Sequence, residues 1–287
     1  MRLVAVIVMV LLVAGCSAGR SPKAPPADNC GPWGCEQRTR FTAASAFLQQ
    51  QKGHIGILVK DRVSGQVWQA GEKDLRTWAG STPKLALAVT LLERARAGTL
   101  KLDQKDTARI DAMLHVSDNE AADGLWDKFA DSASTMSRWQ STYGMTQASY
   151  VDGWPKRWGF VKLTAQDLVN LMGYVLDRAD PADRAALVAK MRAVGGPQQW
   201  GVWGAGAPLR PGVKDGWDYC VEKGDTVYRW VVSTVGFVGP DERYVVAALY
   251  DEAPELDLAA GVHVLTDLVA TVFGASVPAP VVVPEDV

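Results

Sequence analysis

Apolar positions along this chain fall into alternating, all-round and helically spaced runs, and their order predicts the fold. The stretch "HIGILVKDRVSGQVWQAGE" (54–72) holds two apolar, β-rich runs on either side of Ser64-Gly65, which reads as a hairpin opening an antiparallel sheet. After it, "PKLALAVTLLERARA" (83–97) is apolar on nearly all sides before Gly98, as befits a helix passing through the middle of a domain. Helices are also predicted over 42–51, 119–130, 132–142, 164–177 and 182–193. Strands return late: "RWVVSTVGFVG" and "RYVVAALYDE" pair around Pro240-Asp241, and 256–273 forms a last helix. Strands from both ends of the chain would thus complete one sheet around an inserted helical block. That is an α/β (α+β) architecture of two lobes, an antiparallel sheet flanked by helices plus an all-helical lobe, with the seam between lobes suited to catalytic groups.

The N-terminus follows a different logic. Met1-Arg2, the apolar stretch 3–13 and Ala14-Gly15-Cys16 give a charged start, a core too short for a bilayer and small residues before a cleavage point. This is the pattern of a signal peptide over 1–15, and "LVAGC" resembles the bacterial lipoprotein signal, in which the cysteine becomes the lipidated first residue. Acyl chains on Cys16 would hold the protein at the outer, extracytoplasmic face of a membrane, each buried methylene contributing about 0.8 kcal/mol. The expected organisation is then a tether over 16–40, one domain over 41–274 and a Pro-rich tail over 275–287.

Composition narrows the partners. The 287 residues carry 30 Lys plus Arg against 32 Asp plus Glu, a formal net charge of -2, so no basic footprint for a nucleic acid exists. With Cys16 lipidated, Cys30, Cys35 and Cys220 remain in an oxidising compartment and one stays unpaired. Cys30 and Cys35 flank "GPWG", which could turn the chain back and let them pair locally, and a pairing of Cys220 with either of them is the alternative. The three histidines (His54, His115, His263) are scattered and no second cysteine pair exists, so neither a metal nor a cofactor is expected. A monomer is expected.

The candidate chemistry starts at "STPK" (81–84). Ser81 precedes the buried helix with Pro83 in the first turn, and helix capping would explain it. Lys84, however, lies three positions on, on the same face, in an apolar helix start with nothing local to pair with. Burial beside a helix N-terminus depresses an amine's pKa, and a neutral amine within reach of a hydroxyl can act as its general base. A second element, Ser117-Asp118-Asn119, heads an amphipathic helix, where an N-cap reading is again available. A third, "GVKDGWDY", places Lys214, Asp215 and Gly216 just before the two strong strands.

S-x-x-K, S-D-N and K-x-G in this order resemble the motifs of the penicillin-recognising serine hydrolases. The likeness is greatest to the class A β-lactamase-like branch, and within it to actinobacterial lipoproteins with a KxGW-type third motif. It runs from about residue 42 to 273, through "SDNEAADGLWDKF", "KLTAQDLVNLMGYVL" and "GAPLRPGVKDG". The resemblance implies a β-lactamase/transpeptidase-like fold. It also implies Ser81 as nucleophile, Lys84 as its base, Ser117 as proton relay to the leaving nitrogen and Asn119 as a guide for the substrate amide. Lys214 would attract a substrate carboxylate, Gly216 would let the substrate lie against its strand, and the N–H groups of Ser81 and Trp217 would form an oxyanion hole.

Three departures shape the expected activity. Class A β-lactamases release the acyl group with a glutamate on the Ω-loop, whereas the corresponding stretch 143–163 has no Glu and one acid, Asp152, which before Gly153 in a loop reads first as a solvated turn residue and second as a candidate deacylation base. Asp215 stands where a hydroxyl is usual and would set a negative charge near a substrate carboxylate. The interval from Ser81 to Ser117, 36 residues, is shorter than the class A pattern. Trp154, Trp158, Trp200, Trp203 and Trp217 are expected in loops around a groove. The expectation is an acyl enzyme formed on Ser81 from a β-lactam or a cell-wall peptide amide. The alternative is a non-catalytic lipoprotein that binds cell-wall fragments or a partner in the same groove.

Overall fold

The computed structural model describes residues 30–285. The expected signal peptide at 1–15, the expected lipidation at Cys16 and the expected tether as far as residue 29 lie outside the described residues. In chain order, α1 (Gly34–Leu48) leads into the hairpin β1 (Gly53–Asp61) and β2 (Val67–Gly71), then β3 (Arg76–Trp78). The helical lobe follows as α2 (Pro83–Arg96), α3 (Gln104–His115), α4 (Asn119–Phe129) and α5 (Ser132–Ser141). Two short strands, β4 (Ser149–Tyr150) and β5 (Val161–Thr164), precede α6 (Ala165–Asp177) and α7 (Pro181–Arg192). The chain returns through β6 (Gly212–Cys220), β7 (Arg229–Val238) and β8 (Tyr244–Glu252) to α8 (Leu258–Phe273).

The main sheet has the order β2-β1-β8-β7-β6 and is antiparallel throughout, so strands from the two ends of the chain do complete one sheet. Directly paired residues share a face. The row Leu58, Ala247, Val235 therefore continues into Lys214 on the side packed against the helical lobe, and the adjacent row Ile57, Ala248, Thr234 continues into Asp215 on the side covered by α1 and α8. In the helical lobe, nine successive residues of α2, Pro83 to Leu91, are buried. Each large apolar side chain there contributes about 1.5–3 kcal/mol, which explains the absence of a polar face.

Two boundaries differ from expectation. Helix α1 starts at Gly34, so residues 34–40, assigned to the tether, are helical. Its polar first turns hid it, because only Phe41 and Ala44 are buried. It is held instead by the Cys30–Cys35 disulfide, by Trp33 edge-on to Phe41 at 5.0 Å and by Gln37 Nε2 donating to the Val272 carbonyl at 2.8 Å. Cys220 is the buried free thiol. The tail beyond 274 packs down, with Ala279 buried and its N–H donating to Asp267 Oδ1 at 2.7 Å. Helix α3 was not predicted at all; its capping box uses Asp103 and Asp106 in place of a Ser/Thr–Glu pair, and three of its four buried side chains are apolar. No helix among the described residues is long and apolar enough to cross a membrane.

Candidate functional site

Ser81 reaches the seam by a close approach of two backbones. Gly80 has φ +53°, and a Cβ there would come 2.5 Å from the Trp217 amide nitrogen; a Cβ on Gly216 would come 2.4 Å from the amide nitrogen of Ser81. Only glycine fits at either place, and the two together press the edge strand β6 against the head of α2. Ser81 does not cap that helix. Thr82 holds the cap position, and its hydroxyl donates to the Ala79 carbonyl at 2.9 Å. Ser81 is 8% exposed, makes no side-chain hydrogen bond among the described residues, and opens with Ser117, Asn119 and Trp217 on a cavity of about 730 Å³.

Behind that cavity two fully buried amines converge on one hydroxyl. Lys84 Nζ donates to the Ser117 carbonyl and to Asn119 Oδ1 at 2.6 Å, and lies 3.2 Å from Ser117 Oγ. Lys214 Nζ lies 3.0 Å from the same Oγ and donates to Gln198 Oε1 and the Asp215 carbonyl, each at 2.6 Å. The hydroxyl has one hydrogen, so it donates to one amine and accepts from the other. A neutral amine, with two hydrogens given to its carbonyl and amide acceptors, keeps its lone pair for Ser117; a charged one has a third hydrogen to give it. The geometry therefore suits a lysine pair sharing one positive charge through Ser117.

Electrostatics point the same way. Burial lowers Lys84 to about 7, against the opposing charges of Asp118 and Asp123. Burial, followed by the charge of Lys84, drives Lys214 well below the ordinary lysine range. Ser117 itself has φ +64°, a left-handed conformation costing a non-glycine residue roughly 1–2 kcal/mol, and it turns both the carbonyl and the hydroxyl toward Lys84. The cap reading of this motif is half right: Asp118 caps α4 by accepting from the Ala121 N–H at 2.7 Å, while Ser117 and Asn119 serve the lysine.

Asp215 is not where the sequence suggested. Strand alternation turns it away from Lys214 onto the α1/α8 side, fully buried beside Thr234, and it does not line the cavity. Burial raises its carboxyl well above the usual range. Asp152 is the solvated turn residue that its place before Gly153 suggested, and not the candidate base. Its side chain is 94% exposed and pairs with Lys223 at 3.3 Å, outside the cavity wall. As the residue before Gly153 (φ +83°) in a surface turn, it has no route to Ser81.

What the Ω-loop stretch does present is Trp158, whose ring centre lies 4.3 Å from Lys84 Nζ. Trp158 Nε1 donates to Asp123 Oδ1 at 2.8 Å, and Arg157 donates to the same oxygen at 2.8 Å, so α4 fixes the loop. An indole face can stabilise a cation but cannot take a proton from water. Of the five tryptophans expected at the groove, Trp158 and Trp217 line the cavity. Trp154 packs edge-on against Trp78, Trp200 is fully buried, and Trp203 lines a separate apolar groove. His115 Nδ1 meets the Ala193 carbonyl at 2.7 Å, a structural contact. Sequence reasoning missed Gln198, which ties Lys214 and the Asp215 N–H together, and Asp123. For Asp123 a signal existed, since it lies four residues after Asn119 on α4; for Gln198 there was none. No group of His, Cys, Asp and Glu among the described residues is arranged to hold a metal ion.

The sheet, the inserted helical lobe and the Ser117 junction at their seam make this a β-lactamase-like protein in fold. The profile described as the β-lactamase enzyme family matches residues 39–111. An ancestral (GNCA) class A β-lactamase superposes with a TM-score of 0.65 at 19% identity over 82% of this chain and 99% of the other. A β-lactamase from Burkholderia vietnamiensis does so with a TM-score of 0.65 at 21% identity over 84% and 96%. Among curated sequences, proteins of Mycobacterium tuberculosis and Mycobacterium bovis named "Putative lipoprotein LppW" are 28% identical over 273 residues, 92% of this chain and 82% of theirs.

Proposed function

We propose that this protein is an extracytoplasmic, lipid-anchored serine acyltransferase or hydrolase that forms an acyl enzyme on Ser81 with a β-lactam or a cell-wall peptide amide. The observation that carries the proposal is the Ser117 hydroxyl held between two buried amines, one of them with its pKa near neutrality. Such an arrangement costs stability through desolvation and strain, and proton transfer is what it is suited to.

In this reading the ligand carbonyl lies at the N–H groups of Ser81 and Trp217. Neutral Lys84 takes the Ser81 proton as Oγ attacks the carbonyl carbon, and the oxyanion is held by the two amides. The C–N bond then breaks, and the departing nitrogen receives a proton from Ser117, which Lys84 and Lys214 resupply. Apo geometry, in which Lys84 bonds Ser117 and Asn119 rather than Ser81, leaves this open, because catalytic hydrogen bonds commonly tighten only in the complex. The stretch 143–163 supplies no base for release of the acyl group by water, since beside Lys84 it sets the Trp158 ring and not a carboxylate. A long-lived acyl enzyme follows. The lipid anchor on Cys16 rests on the signal sequence and on the name of the mycobacterial relatives.

Fluorescent penicillin and an activated fluorophosphonate, applied to residues 30–287, test the reading. Label on the wild type that disappears in Ser81→Ala and falls sharply in Lys84→Ala supports it. Absence of label with both reagents favours the non-catalytic binder. Membrane retention that is lost in full-length Cys16→Ala tests the anchor.

A further inference from the structure

Resting on the reading of Ser81 and Trp217 as the place for a ligand carbonyl, the wall of the same cavity indicates which ligands fit. Ser81 is more than nine-tenths buried, and its unpartnered hydroxyl opens into the cavity, which fixes where the reacting carbonyl lies. The cation expected to hold a substrate carboxylate is not on the wall. Lys214 is 0% exposed, and its amine is occupied by Ser117 Oγ, Gln198 Oε1 and the Asp215 carbonyl. The charged side chains that do line the cavity are Asp118, Glu120, Asp123, Asp218 and Arg157, and Arg157 is taken up by Asp123 at 2.8 Å and Asp127 at 3.3 Å. A ligand carboxylate would meet like charge there with no free cation to answer it.

Asp218 is the residue placed to discriminate. It follows Gly216 by two positions on the edge strand β6, hence on the same face, next in line along any extended ligand laid beside Ser81. Its side chain has no ion-pair partner among the described residues, and it lines the cavity, whereas Trp217, Tyr219 and Trp230 reach the same cavity from the opposite face of the strand. An unpaired carboxylate on the cavity wall is a seat for an ammonium group. Burial raises Asp218 to about 6, so it is charged at neutral pH yet poorly hydrated.

We propose that Asp218 makes this cavity selective for amide or peptide ligands that carry a positive charge, such as a primary ammonium, on the side of the reacting carbonyl that runs along β6 past Gly216. The test uses three peptide amides identical except for one terminal group: a primary ammonium, a neutral amide or a carboxylate. Binding to Ser81→Ala is followed by calorimetry, so that recognition is measured apart from chemistry. The ammonium peptide binds about tenfold or more tightly than the carboxylate peptide, and Asp218→Asn brings the ratio close to unity. A preference for the carboxylate, or a ratio that Asp218→Asn leaves unchanged, overturns the proposal. The ratio in the otherwise native cavity needs no Asp218 variant, so a poorly folded variant does not spare the proposal. Cationic preference without any acyl labelling of Ser81 would sink the acyl-enzyme reading alone; labelled Ser81 with carboxylate preference would sink this one alone.

Discussion

Two neighbours of Lys84 behave in opposite ways. On one side, α4 and β6 bring Ser117, Asn119 and Lys214 into a hydrogen-bonded cluster with every buried polar atom of the two amines engaged. On the other, the stretch 143–163 offers an indole ring at 4.3 Å and leaves its single carboxylate, Asp152, in solvent. In the function proposed above, the first side moves a proton between a serine and a leaving nitrogen. The second supplies no carboxylate beside Lys84 to activate water. On the proposed reading, forming a covalent intermediate and discharging it are separable properties of one scaffold, and the two sides of Lys84 bear on them differently.

The comparison can be broken most severely at its nucleophile: Ser81→Ala should abolish covalent labelling by penicillin and fluorophosphonate, measured by in-gel fluorescence. Next, Lys84→Ala should slow acylation by about 10²–10⁴, the usual contribution of a general base, with melting temperature as the control for folding. The other side is sharpened by Trp158→Glu, which sets a carboxylate next to Lys84. Release of a bound penicilloyl group, followed by loss of label, should accelerate by about tenfold or more, and an unchanged lifetime would show that the loop is not what limits release.

A smaller effect comes from pH. Lys84 must be neutral to accept the Ser81 proton, and burial sets its pKa near 7, so the acylation rate should rise with pH up to about 7 and level off above it. The smallest is expected at Asp215, which faces away from the cavity. Asp215→Asn should leave acylation within about twofold. It should also alter stability with a defined sign. The folded state holds the proton to higher pH than the unfolded chain, which loses it above its ordinary value near 3.8, so native stability falls as pH rises past that point. The asparagine variant should lose this slope, as read from melting temperature against pH.

Legibility in the sequence followed burial. Helix α2 announced itself because all of its faces are covered, and β1, β7 and β8 because they lie inside the sheet. Helix α3 and the start of α1 did not, since much of each faces solvent. Ser81, Lys84, Ser117, Asn119, Lys214 and Trp217 could be named from their motifs because short-range spacing carries them to one seam. The error at Asp215 came from treating three adjacent residues as one site when a strand sends alternate side chains to opposite faces. Trp158 beside Lys84 and Gln198 beside Lys214 depend on how loops close over the seam, and no local pattern encodes that.

Intact-protein mass spectrometry after exposure to a β-lactam, with peptide mapping of the modified site, measures the decisive step directly. The expected spectrum has one acyl adduct per chain, located on Ser81, that survives removal of free drug. An unmodified mass with both penicillin and fluorophosphonate, an adduct on any other residue, or prompt return to the native mass while the drug is consumed would contradict the account.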